Sequence, residues 1–148
     1  MPFHFALEAV LRLRRSQERA ERLKLEAIVA EQLRTQARLR ETIERSFEAH
    51  RQFQLRLAGG MVGTQLQFEM EREARVDTIC RNLRQDLEEL EKRRIAQAQV
   101  FYAARRNLEL IENLRERKLE AYRTEQARRD QQELDALFLL RQKDRGGE

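Results

Sequence analysis

Apolar residues recur at steps of three and four along most of this chain, with one clear interruption. From Leu66 the steps run through Met70, Val76, Cys80, Leu83, Leu87, Leu90, Phe101, Ala104, Leu108, Ile111 and Tyr122. Glu73, Arg94, Gln97, Arg115 and Lys118 occupy the intervening seam positions. A heptad pattern sustained that far predicts one long helix with a coiled-coil seam. The earlier stretch is less regular. Leu25, Ile28, Gln32, Thr35, Leu39, Ile43, Ser46, His50, Phe53 and Leu57 mark a seam, and Leu23, Ala27, Ala30, Leu33 and Ala37 form a second stripe beside it.

The interruption is Ala58-Gly59-Gly60-Met61-Val62-Gly63-Thr64, which holds three of the five glycines. Glycine adopts positive φ freely and weakens a helix by about 1 kcal/mol relative to alanine, so the cluster ends one helix. Thr64 has the chemistry to N-cap the next. The pattern therefore predicts a helix over about 5–57, a turn at 58–64, a helix over about 65–142 and a frayed tail at 143–148. A connection this short makes the helices antiparallel neighbours. The expected fold is all-α, a single antiparallel coiled-coil hairpin whose second helix is the longer.

Folding at the turn pairs residues whose numbers sum to about 122, which sets Phe5 opposite Arg117 and Phe3 opposite Leu119. Phe3 and Phe5 then cover Leu119 and Tyr122 and seal the open end of the coil. The second helix continues alone for roughly 20 residues, ~30 Å at 1.5 Å per residue. That extension carries Leu134, Leu137, Phe138, Leu139 and Leu140, an unpartnered apolar end of the kind that marks binding.

Composition agrees with long helices. Of 148 residues 38% are charged, 6% aromatic and only one is proline, whereas globular domains average about 25% charged. The net charge is +4, and residues 12–24 hold six bases against two acids. Elsewhere the signs interleave as on a solvated helix, which argues against a nucleic-acid groove. Cys80 is alone, so no intrachain disulfide framework exists. No apolar run approaches a membrane span and no signal-peptide core precedes the first helix. The expectation is a cytoplasmic helical protein without direct membrane insertion.

The sequence offers little for catalysis. Two helices make no concave pocket in which reacting groups converge. The glycine turn lacks the lysine of a phosphate-binding loop. His4 and His50 are far apart and Cys80 falls on the seam, so neither a metal nor a cofactor site is expected. Arg94, Gln97, Arg115 and Lys118 interrupt the second seam, and polar residues there fix register at some cost in stability.

The opening stretch FHFALEAVLRLRRSQE resembles the start of the flagellar FliJ family: an aromatic pair, a leucine, a Val-Leu pair and an arginine-rich turn. Here these are Phe3, Phe5, Leu7, Val10, Leu11, Arg14 and Arg15. The mid-chain glycine turn and the longer second helix extend the resemblance in architecture. It implies a non-enzymatic, stalk-like component of the type III flagellar export apparatus. The terminal end of the coil would bind the hexameric export ATPase, and the turn-proximal half the cytoplasmic domain of the membrane export gate, with export chaperones as further partners. On that reading Leu7, Val10, Leu11, Arg14, Arg15, Leu137 and Phe138 form the ATPase-binding end. Leu39, Ile43, Phe47, Val76, Ile79 and Leu83 form the gate-binding region. Ordinary coil packing also accounts for Leu7 and Leu11, and a wide interhelical flank for Phe47 and Ile79. The competing reading is a coiled-coil spacer or scaffold with no ATPase partner.

Overall fold

The computed structural model describes residues 1–147. Two helices, α1 (Glu8–Ala58) and α2 (Gly63–Arg145), account for nearly all of them, with no strand among the described residues. The helices pack against each other as a helical hairpin. Packing divides the chain into two compact units. Arg19–Tyr102 contains the turn, and Met1–Glu18 packs with the stretch from Ala103 onward.

In the turn-containing unit the helices are antiparallel. Gln32 meets Glu91 and His50 meets Glu73, so facing numbers sum to 123. Gly59 and Gly60 donate back to the carbonyls of Arg56 and Leu57 at 3.0 and 3.1 Å. Gly60 has φ of 91°, a backbone that a side chain would strain. The next helix, from Gly63, starts two residues earlier than expected. The Val62 carbonyl accepts from both Gln65 and Leu66, which places Thr64 inside the first turn and not at its cap.

Burial on α1 follows a strict alternation of three and then four residues: Leu25, Ile28, Gln32, Thr35, Leu39, Thr42, Ser46, Ala49 and Phe53 are all buried or half-buried. Thr42 and Ala49 take the places expected for Ile43 and His50. The apolar character of Ile43 suggests a seam position, but reaching it from Leu39 reverses the order of steps and rotates the stripe off its partner. The second stripe is mostly solvent-facing, with Leu23, Ala27, Leu33 and Ala37 exposed. On α2 the regular order brings Glu69, Glu73, Val76, Cys80, Leu83, Leu87 and Leu90 inward and leaves Leu66 and Met70 exposed.

The core is thin. Six apolar side chains are buried among the described residues, so cohesion rests on many half-buried seam contacts. Polar seam residues are matched across the pair. Gln32 Nε2 donates to Glu91 Oε2 at 2.8 Å, and Gln97 Nε2 donates to the Glu21 carbonyl at 3.1 Å and to its carboxylate. These bonds are satisfied in one register, because a slip of one residue strands both amides.

Glu91 supplies a pH prediction. Arg94, with help from Gln32, holds its carboxyl at about 2. A folded-state value below the ordinary ~4.3 gives stability that is complete above that pH and is lost as pH falls toward the folded value. Arg94 shares α2 with Glu91 and stays beside it while α2 is helical; the Gln32 bond exists only while the hairpin is closed. Glu91→Gln is therefore expected to flatten part of the fall in melting temperature between about pH 5 and 2. Thermal melts followed by circular dichroism check this, and an unchanged slope would mean that the cross-helix bond contributes nothing.

In the terminal unit the chain enters as an extended strap. Phe3 is half-buried, His4 exposed and Phe5 buried, the period of two of an extended backbone. This explains why α1 begins at Glu8 and not near residue 5: a helix would turn the two rings to different sides. The Glu8 amide donates to the Phe5 carbonyl at 3.1 Å and closes the strap onto the helix. At the other end α2 runs to Arg145, three residues beyond expectation, because nothing opposes helix before Gly146 and Gly147. Of the tail expected at 143–148, Glu148 lies outside the described residues.

Candidate functional site

The terminal unit is built around the strap. The Phe3 ring lies 5.5 Å from that of Tyr122, and the Arg115 guanidinium carbon sits 5.7 Å from the Phe3 centroid. Arg115 also donates to Glu8 at 3.4 Å, and the Tyr122 hydroxyl donates to the Met1 carbonyl. The end seal expected from sequence is present with altered partners. Tyr122 is the expected partner, but Leu114 and Lys118 line the hollow beside Phe3 and Phe5 with it, where the expected Leu119 does not. Distance along the axis fixes the level, but the face of the helix fixes the neighbour.

The residues of the ATPase-binding expectation divide into three groups. Leu11 is completely buried, so it holds the helix pair and offers no surface. Val10 and Arg14 are half-buried. Arg14 donates to Gln17, and Arg15 reaches Glu112 at 3.6 Å across the pair. Leu7 at the margin, Leu137 and Phe138 are exposed, as is Leu13. From residue 127 to 147 every side chain is exposed. Leu134, Leu137, Phe138, Leu139 and Leu140 each keep at least 55% of their surface in solvent, an unusual cost unless something covers them.

The turn-containing unit holds the second surface. Ile43, Phe47 and Val76 line one shallow groove together with His50, Glu73, Asp77, Cys80 and Arg84. Phe47 is 72% exposed, the most exposed phenylalanine of the chain. Ile79 is exposed outside this groove, Leu39 is half-buried, and Leu83 is buried in the seam. The groove thus gathers three of the six expected residues, and Leu39, Ile79 and Leu83 do not line it.

Charges beside the groove form a cluster that sequence spacing did not reveal. His50 Nδ1 lies 2.8 Å from Glu73 Oε1 across the pair, and ligand-type atoms of His50, Glu69 and Glu73 lie within 4.8 Å of one another. The three positions are on facing helices, so no motif in one stretch of sequence announces them. Such a trio is a possible cation site in outline, but Glu69 is already gripped by Arg72, whose Nε donates at 3.0 and 3.1 Å. That bond, chiefly, holds the Glu69 carboxyl below its ordinary range, with His50 and Arg56 adding to the effect. The guanidinium fills the cation's role.

Two helices paired through a thin seam, with uncovered apolar residues at one end and along one groove, define a protein whose work is contact with other proteins. The model of the flagellar FliJ protein family matches residues 3–146, nearly the whole chain. The chain belongs to the flagellar FliJ family, and is thus a structural component of the flagellar export apparatus. Comparisons with curated proteins and with solved structures give no match. No helix among the described residues is long and apolar enough to cross a membrane.

Proposed function

We propose that the terminal unit docks on the hexameric flagellar export ATPase and that the groove of the turn-containing unit engages the cytoplasmic domain of the export gate. The protein then links nucleotide hydrolysis to the gate from the cytoplasmic side, without chemistry of its own, and export chaperones are additional clients. The observation that carries this reading is the apolar end at residues 134–140, whose leucines and phenylalanine stay exposed among the described residues. Leu7 and Leu13 add apolar surface near the start of α1, and Arg12 and Arg15 supply charge suited to acidic loops of a ring. Family membership supplies the context in which an ATPase and a gate are the natural partners.

The test is the hydrolysis rate of the same organism's export ATPase with and without the full chain, and with a chain ending at Asp130. Stimulation by the full chain and its loss on truncation support the proposal. A folded full chain that leaves the rate unchanged favours the spacer reading.

A further inference from the structure

The turn end of the hairpin carries apolar side chains that the groove does not use. Leu55, Leu57, Val62, Leu66, Phe68 and Met70 keep between 43% and 70% of their surface in solvent. With α1 ending at Ala58 and α2 starting at Gly63, all six lie within about 10 Å of the turn along the helix axes. They do not form one stripe. Leu55 and Leu57 stand about 200° apart around α1, and Phe68 has the same relation to Leu66 and Met70 on α2. A groove in a partner protein covers one side of a helix pair and leaves the other side bare. A fluid apolar medium encloses a tip from every side.

Charge sorts along the same axis. Residues 49–68 are the longest stretch of the chain without an acid, and they hold Arg51 and Arg56. Glu69, next along α2, is buried and bonded to Arg72. The first exposed acids, Glu48 and Glu71, lie about 15 and 12 Å back from the turn. The apolar cap is thus about as deep as the ~5–10 Å to which amphipathic segments sink at the headgroup–acyl boundary.

We propose that the turn inserts shallowly into the surface of a membrane that contains anionic lipid. Leu55, Val62 and Phe68 enter the acyl boundary, and Arg56 extends its guanidinium to the headgroup phosphates. Arg75, whose guanidinium carbon lies 5.8 Å from the Phe68 centroid, follows that ring to the same level. The contact is interfacial, since no helix among the described residues is long and apolar enough to cross a bilayer. One shallow tip with few cations is a weak anchor, so binding is reversible. The inference is independent of the gate reading, because it rests on side chains outside the groove.

The experiment uses the full chain and lipid vesicles with no other protein. Cosedimentation with mixed phosphatidylcholine–phosphatidylglycerol vesicles is expected, weakening in high salt and on pure phosphatidylcholine. Leu55→Glu/Phe68→Glu is expected to lower the affinity about tenfold or more. Both side chains are more than 60% exposed, so circular dichroism should not change. Leu137→Glu/Phe138→Glu, at the other apolar end, should bind as the original does. The chain has no tryptophan, so Val62→Trp supplies a single reporter, whose emission should shift to the blue on vesicles and be quenched by brominated acyl chains. A chain that binds neither kind of vesicle overturns the proposal. So does binding lost with the 137/138 variant and kept with the 55/68 variant, and so does Val62→Trp emission that stays unshifted on bound vesicles. A chain inert to vesicles whose 55/68 variant loses the gate's cytoplasmic domain assigns the tip to a protein and overturns the proposal equally.

Discussion

Replacing Leu137 and Phe138 together by glutamate is expected to weaken binding to the export ATPase by about 30-fold or more while leaving helix content unchanged. Both side chains are more than half exposed, so the hairpin does not depend on them and the fold effect stays within about 0.5 kcal/mol. An apolar anchor that fills a partner's pocket contributes about 2 kcal/mol or more, and 1.4 kcal/mol is a factor of ten in affinity. A buried carboxylate adds desolvation cost to that loss. Titration of labelled protein with the ATPase measures it. Affinity within twofold of the original would remove residues 137 and 138 from the interface.

Leu11→Ala acts on the fold instead. Among the described residues Leu11 is the one side chain with no exposed surface, and it belongs to the terminal unit. Truncating a buried leucine costs roughly 2–5 kcal/mol, depending on how far the surroundings close on the gap. Two helices with few tertiary neighbours close more readily than a globular core, so about 2–3 kcal/mol is expected here. Leu13→Ala, at 55% exposure, should cost no more than about 0.5 kcal/mol. Amide hydrogen exchange over residues 1–18 locates the loss. It should accelerate there in Leu11→Ala and remain near the original rate in Leu13→Ala. Equal effects would mean that the buried contact carries no special weight.

The hairpin was legible because its signals are redundant. Three glycines within five residues stop one helix, and almost nothing else in the chain opposes helix. The facing register was legible to within one residue, since a short turn leaves little freedom. Side-chain placement was less so. Ile43 and His50 looked like seam residues by type, yet the unbroken three-then-four alternation from Leu25 to Phe53 selects Thr42 and Ala49. The same rule selects Glu69 over Met70 on α2, because Arg72 satisfies the carboxylate and makes its burial tolerable. Periodicity was the better guide, and hydrophobicity of single residues the worse one.

The extended strap was missed for a related reason. Phe3 and Phe5 are two apart, a spacing that belongs to extended chain, yet the helix-rich context drew the boundary to residue 5. The exposed end at residues 134–140 was readable in full, since a helix that outruns its partner must leave its side chains bare. The His50, Glu69 and Glu73 cluster was not readable, because it exists only when two helices meet at one level.

Position-specific photo-crosslinking tests the central claim most directly. A photoreactive residue is placed at Leu137, at Leu7 or at Phe47 of the full chain, in cells assembling flagella. The account expects adducts with the export ATPase from positions 137 and 7, and with the gate's cytoplasmic domain from position 47. The reverse assignment, or ATPase adducts from position 47 alone, would contradict it.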